Sequence, residues 1–134
     1  MQEYVAGFLF DGSIVWLIRK NKPDWQKGKL NGIGGKIEEG ELPFDAMRRE
    51  FKEEAELDID SWKHYCTITD EKTWKVYFFY AWSKMKPKTM TDEVVNWYDS
   101  YHIPTDAIPN LHWLIPMALH FVEDTANKFY VKYE

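Results

Sequence analysis

The chain has 134 residues and a net charge of −5; 45% of it is apolar and 17% aromatic, which suits a single folded domain over 1–134 and argues against disorder. No apolar run approaches the ~18 residues that cross a bilayer, and "MQEY" lacks a basic leader, so neither a membrane partner nor a signal peptide is expected. The lone Cys66 excludes an intramolecular disulfide and a zinc knuckle and fits a reducing cytoplasm, while the acidic total argues against a nucleic-acid polymer as partner.

In chain order, "YVAGFLF" and "IVWLIR" are apolar, β-rich runs around "DGS" and predict a hairpin. The stretch "NKPDWQKGKLNGIGGKIEEGE", rich in Gly, Asn and Lys, predicts a long loop with a short strand near Lys36-Ile37; loops of that length in compact domains tend to be functional. From Pro43 the period changes. Phe44, Met47, Phe51 and Ala55 recur at helical spacing and predict a buried stripe, with Pro43 at the first helical position and Leu42 a poor N-cap. "WKHYCTIT" and "TWKVYFFYAW" predict a second hairpin around "DEK", and "EVVNWYD" a further strand. "IPNLHWLIPMALHFV" predicts a second helix with Trp113, Met117 and Phe121 on one face and Pro116 in its first turn or bending it; "KFYVKYE" predicts a closing strand. This order of elements predicts the α/β (α+β) class, a mixed sheet sandwiched by helices.

Between Gly35 and Leu57 stand eight acids and four bases, a segment that carries most of the whole chain's charge imbalance. Glu50, Glu53 and Glu54 lie at i, i+3 and i+4, which puts all three on one helix face, away from the apolar stripe. Like charges at that spacing cost a helix ~0.2–0.5 kcal/mol per pair. A hard divalent cation reverses the balance: Mg²⁺ prefers oxygen ligands and is usually shared with substrate phosphates. Arg49, four residues before Glu53, is placed to orient or neutralise part of the cluster.

The residues match a known signature. Gly35, Glu41, Arg49, Glu50, Phe51, Glu53, Glu54 and Leu57 resemble the Nudix box, G-x5-E-x7-R-E-U-x-E-E-x-G-U with U apolar. One position departs: Glu56 stands where the box has glycine. Either Glu56 ends the helix at positive φ, or the helix runs on through "AELD". The resemblance implies the Nudix α/β/α sandwich with a mixed sheet, and hydrolysis of a nucleoside diphosphate linked to another moiety. It implies Mg²⁺ as cofactor, with Mn²⁺ as a substitute. It makes Glu50, Glu53 and Glu54 metal ligands, joined by the Gly35 carbonyl, with Glu41 and Arg49 paired as a brace. Glu53, Glu50 and Arg49 then form the catalytic set, with a carboxylate on a later loop as a further ligand or base.

Short patches outside the box resemble MutT-like triphosphatases of oxidised purine nucleotides. Glu93, beside Asp92 in "TDEVVNW", matches the later carboxylate, or is part of a charged loop. Asn31 in "LNGIGGK" matches a base contact, or serves a turn. Asn110 matches a residue that reads the purine edge, or caps the second helix. Arg19 matches a phosphate contact, or ends an exposed strand, with Lys20 and Lys22 beside it. Trp25 is placed to stack on a base or lid the site. The small size favours a nucleoside triphosphate, such as 8-oxo-dGTP, cleaved to the monophosphate and pyrophosphate by a monomer or homodimer. The rival substrates are ADP-ribose, a dinucleoside polyphosphate, a nucleotide sugar or a capped RNA end. A non-catalytic nucleotide sensor is a different class, and the intact box acids count against it.

Overall fold

The computed structural model describes residues 1–121 and 128–134. Strand β1 (Gln2–Asp11) is apolar on both faces because both are covered. Ala6, Phe8 and Phe10 enter one core layer; Val5 and Leu9 enter the other. β1 runs parallel to β6 (Trp74–Trp82) on one edge. Its other edge is shared by β2 (Ile14–Arg19), joined to it through Gly12 at φ +57, and by β4 (Ile33–Lys36). β2 also pairs β3 (Leu30–Asn31) and β7 (Val95–Asp99). Beyond β6 lie β5 (Lys63–Thr69) and then, parallel to it, β8 (Phe129–Lys132). The mixed sheet thus runs β3-β2-β1-β6-β5-β8, with β4 on β1 and β7 on β2.

One helix covers each face, so the expected sandwich is present. α1 (Pro43–Ala55) buries Ala46, Met47, Phe51 and Ala55 on the Val5/Leu9 side. α2 (Leu111–Leu119) buries Leu111, Leu114, Ile115 and Ala118 on the Phe8/Phe10 side. No helix among the described residues is long and apolar enough to cross a membrane.

The expected hairpins, first helix and closing strand form where the patterns put them. Three details differ. The glycine-rich loop holds a 3₁₀ turn at Asp24–Gln26 and two short strands rather than one near Lys36-Ile37. In α1, Phe44 is only partly buried, since it sits in the first turn at the rim of the core, and Ala46 takes its place in the stripe. In α2 the buried face is Leu111, Leu114, Ile115 and Ala118; Trp113 and Met117 are half-buried and Phe121 lies past the helix end. Pro116 sits beyond the first turn, on the exposed side of the helix.

Candidate active site

Glycines bring β4 against both neighbours. A Cβ on Gly34 would stand 1.9 Å from the Val5 carbonyl oxygen, so only glycine lets β4 approach β1 this closely. A Cβ on Gly35 would stand 2.6 Å from the Glu50 carboxyl carbon. The Gly35 backbone and the Glu50 carboxylate therefore approach each other closely.

Arg49 is the hub of the loop–helix junction. Its Nε donates to Glu41 Oε2 (2.9 Å) and its Nη2 to Glu41 Oε1 (3.0 Å), a fork-to-fork pair. Nη2 also reaches the Lys36 carbonyl (3.0 Å), and Nη1 reaches Glu50 Oε1 (2.9 Å) and Glu53 Oε2 (3.4 Å). The Arg49 fork holds the Glu41 carboxyl below its ordinary range, and these acids keep Arg49 more firmly protonated than usual. Glu41 and Arg49 thus pair across the loop–helix junction.

The three helix carboxylates differ in environment. Glu53 is exposed. Glu50 is pushed up by burial, with Arg49 pulling the other way. Glu54 is pushed up to about 7 by burial, a shift that Lys20 opposes and that Glu50, Glu93 and Glu53 increase. Its Oε2 is buried and has no hydrogen-bond partner among the described residues. A buried, unpaired carboxylate oxygen beside further carboxylates is costly without a cation. The donor set is all oxygen, which fits a hard divalent ion. Among the described residues no three such side chains are already gathered about one point.

Glu93 joins this group. It is 6% exposed, with Oε1 at 3.2 Å from Lys20 Nζ and Oε2 accepting from the Asn21 amide (2.6 Å). Burial favours its acid form, but the Asn21 and Lys22 amides and Lys20 outweigh that and hold it below the usual range. Lys20, the neighbour of Arg19, is the cation that reaches this group. Strand alternation separates the two. Ile18 faces α1 and so does Lys20, whereas Leu17 and Arg19 face the α2 side. There Arg19 Nη1 donates to Asp106 Oδ2 (2.7 Å) and to the Gly28 carbonyl (2.8 Å).

The remaining candidates show no hydrogen bond to these carboxylates among the described residues. Asn31 donates to Gln26 Oε1 (2.9 Å) and accepts from the Gly32 amide (2.8 Å), the local turn chemistry that its sequence context allows. Asn110 heads α2 in a helical conformation and makes no side-chain cap; its Oδ1 is buried without a partner among the described residues. Trp25 is 64% exposed in the 3₁₀ turn.

Comparison with known proteins agrees with this fold. The family model for the NUDIX domain matches residues 2–121. The structure is similar to a mutator MutT protein from Bacillus halodurans, with a TM-score of 0.72 at 20% identity over 90% of this chain and 84% of that one. It is similar to a Nudix hydrolase from Nitrosomonas europaea, with a TM-score of 0.76 at 17% identity over 99% and 79% of the two chains. It is also similar to an ADP-ribose pyrophosphatase from Streptococcus suis, with a TM-score of 0.73 at 14% identity over 96% and 98%. Nudix hydrolases generally use divalent metal ions, and the cluster on α1 has the chemistry for one. With its signature from Gly35 to Leu57 built into the junction of β4 and α1, the chain belongs to the Nudix family of pyrophosphohydrolases.

Proposed function

We propose that this protein is a Mg²⁺-dependent Nudix hydrolase that cleaves a nucleoside triphosphate to the monophosphate and pyrophosphate, with an oxidised purine such as 8-oxo-dGTP as the preferred base. The observation that carries the metal-dependent chemistry is Glu54: a buried carboxylate oxygen with no partner among the described residues, in the field of Glu50, which Arg49 holds. Glu50, Glu53, Glu54 and the Gly35 carbonyl would hold the cation. Mn²⁺ has the same oxygen-ligand preference and would substitute.

When bound, the cation polarises phosphoryl oxygens and acidifies a bound water. Everything else falls to the chain. Arg49 fixes Glu50 and keeps the β4 loop on α1 through Glu41 and Lys36. Exposed Glu53 would take the proton as water oxygen bonds to phosphorus and the bridging P–O bond breaks. Lys20 lies in the same cluster, and its ammonium complements phosphate charge. Asn110, with a free amide oxygen, is proposed to read the base, and Trp25 to stack on it.

A second substrate reading has its own observation. The ADP-ribose pyrophosphatase is matched over 98% of its length, so chain length does not separate that substrate from a triphosphate. Product analysis with Mg²⁺ over 8-oxo-dGTP, the common triphosphates, ADP-ribose and diadenosine polyphosphates tests both readings. Monophosphate plus pyrophosphate from a triphosphate supports the first. AMP plus ribose phosphate from ADP-ribose alone overturns it.

A further inference from the structure

The resemblance makes Glu93 a metal ligand or base, yet the chain already occupies both of its oxygens. The β2–β7 register pairs Ile18 with Val95, and continued past that pair it sets Lys20 opposite Glu93. The Arg19 amide donates to the Val94 carbonyl (2.8 Å) along the way. Glu93 Oε1 takes the Lys20 ammonium, and Oε2 takes the Asn21 amide (2.6 Å) and, more loosely, the Lys22 amide (3.4 Å). The Asn21 side chain returns a bond to the Asp92 carbonyl (2.9 Å).

The segment that carries Glu93 is itself tied to α1. The Met90 amide donates to the Glu54 carbonyl (3.3 Å), and the Lys88 amide to the Ala55 carbonyl (3.1 Å). Thr89 Oγ1 then pins the segment to both the amide and the carbonyl of Val95. On the other side, the 20–29 loop is closed at its base by the Lys20 and Lys29 main chains, 2.9 Å apart. The Lys20 side chain is only 17% exposed, so its charge is held by neighbours rather than by water.

We propose that Glu93 is a positioning residue: it latches the 20–29 loop to the segment bracing α1 and holds the Lys20 ammonium off Glu54 Oε2. The inference rests on the reading of the α1 carboxylates as the cation site. Without Glu93, Lys20 turns to Glu54, whose Oε2 has no partner among the described residues, and competes with the incoming cation.

The test is Mg²⁺ binding by calorimetry, with no nucleotide, for wild type, Glu93→Gln, Lys20→Met and the double variant. Glu93→Gln should weaken binding about tenfold, in the range for groups that orient ligands. Lys20→Met should bind no more weakly than wild type, and the double variant should return to within about twofold of Lys20→Met. A double variant as weak as Glu93→Gln makes Glu93 a direct ligand and overturns the proposal. Unchanged affinity in Glu93→Gln overturns it too. Metal-free hydrogen exchange reads the latch independently: Glu93→Ala should speed exchange across residues 20–29 by about tenfold or more. If wild type binds no Mg²⁺, the cation-site reading fails, and unaltered exchange in Glu93→Ala sinks the latch as well.

Discussion

Arg49 and Glu41 meet fork to fork, Nε to Oε2 at 2.9 Å and Nη2 to Oε1 at 3.0 Å, and this pair fastens the β4 loop to the carboxylate helix. Both side chains are largely shielded, at 24% and 16% exposure, so the pair resists salt better than a surface ion pair. Glu41→Ala should cost about 1–2 kcal/mol in urea unfolding, the usual loss for hydrogen bonds to a charged group. Turnover should fall as well, since Arg49 is then free to leave Glu50. An unchanged unfolding midpoint would show that the Lys36 carbonyl and Glu50 suffice to hold Arg49.

Glu54 gives a pH signature in metal-free protein. Its folded pKa is raised to about 7, burial being the main cause, against an ordinary 4.5. A raised carboxyl binds its proton more tightly when folded. Its stabilising effect is complete below about 4.5 and is lost as pH climbs through 7. His64 acts in the opposite direction. Burial holds its pKa near 4, so its contribution is present above 6.5 and is lost as pH falls toward 4. Glu54→Gln should therefore stabilise the metal-free protein at pH 8 by roughly 1–2 kcal/mol, with no gain at pH 4. Denaturation of both proteins across this range isolates the Glu54 part. A variant less stable at pH 8 would mean that the charge is not buried unpaired.

Glu56 ends α1 at φ +73, and its amide donates to the Lys52 carbonyl (2.9 Å). Of the two readings that the missing box glycine leaves open, the left-handed cap is the one realised. A side chain there costs ~1–2 kcal/mol, and the exposed Lys88–Glu56 pair returns little of it. Glu56→Gly should keep full activity and gain up to about 1 kcal/mol in thermal unfolding, part of the relief being offset by glycine's freedom in the unfolded chain. Loss of turnover would reveal a role for Glu56 beyond the cap.

Asn110 and Asn31 should separate in substrate tests. Asn110 has a buried amide oxygen to spare, while Asn31 is engaged with Gln26 and Gly32. Asn110→Ala should shift the ratio of kcat/KM between purine bases by about tenfold, the worth of one hydrogen bond to a base edge. Asn31→Ala should shift it less. Equal preference in wild type and Asn110→Ala would remove Asn110 from base reading.

Much of this site is local in sequence and so was legible there. Gly35, Glu41, Arg49, Glu50, Glu53 and Glu54 lie in one loop and one helix, where fixed spacing fixes geometry. The choice between Arg19 and Lys20 was also available, since period-two alternation after Ile18 turns Lys20 toward α1; the motif likeness pointed to Arg19 instead. Glu93's engagement was not legible. It depends on the register of β7 against β2 and on amides far along the chain. The strands near Leu30 and Ile33 were hidden because they lie in a stretch of Gly, Asn and Lys that reads as turns, and Gly34 shows why β4 carries glycine: that strand needs it to approach Val5. The face that holds Trp113 and Met117 only borders the core, while Leu111, Leu114, Ile115 and Ala118 fill the buried side of α2.

The central claim is metal-dependent phosphoanhydride hydrolysis by the α1 carboxylates. Pyrophosphate release from 8-oxo-dGTP and the common nucleoside triphosphates, with Mg²⁺ or with EDTA, tests it directly when wild type is set beside Glu53→Gln. Turnover that requires Mg²⁺ and falls by about a hundredfold or more in Glu53→Gln is expected. Equal rates for wild type and Glu53→Gln, or release undiminished in EDTA, would contradict it.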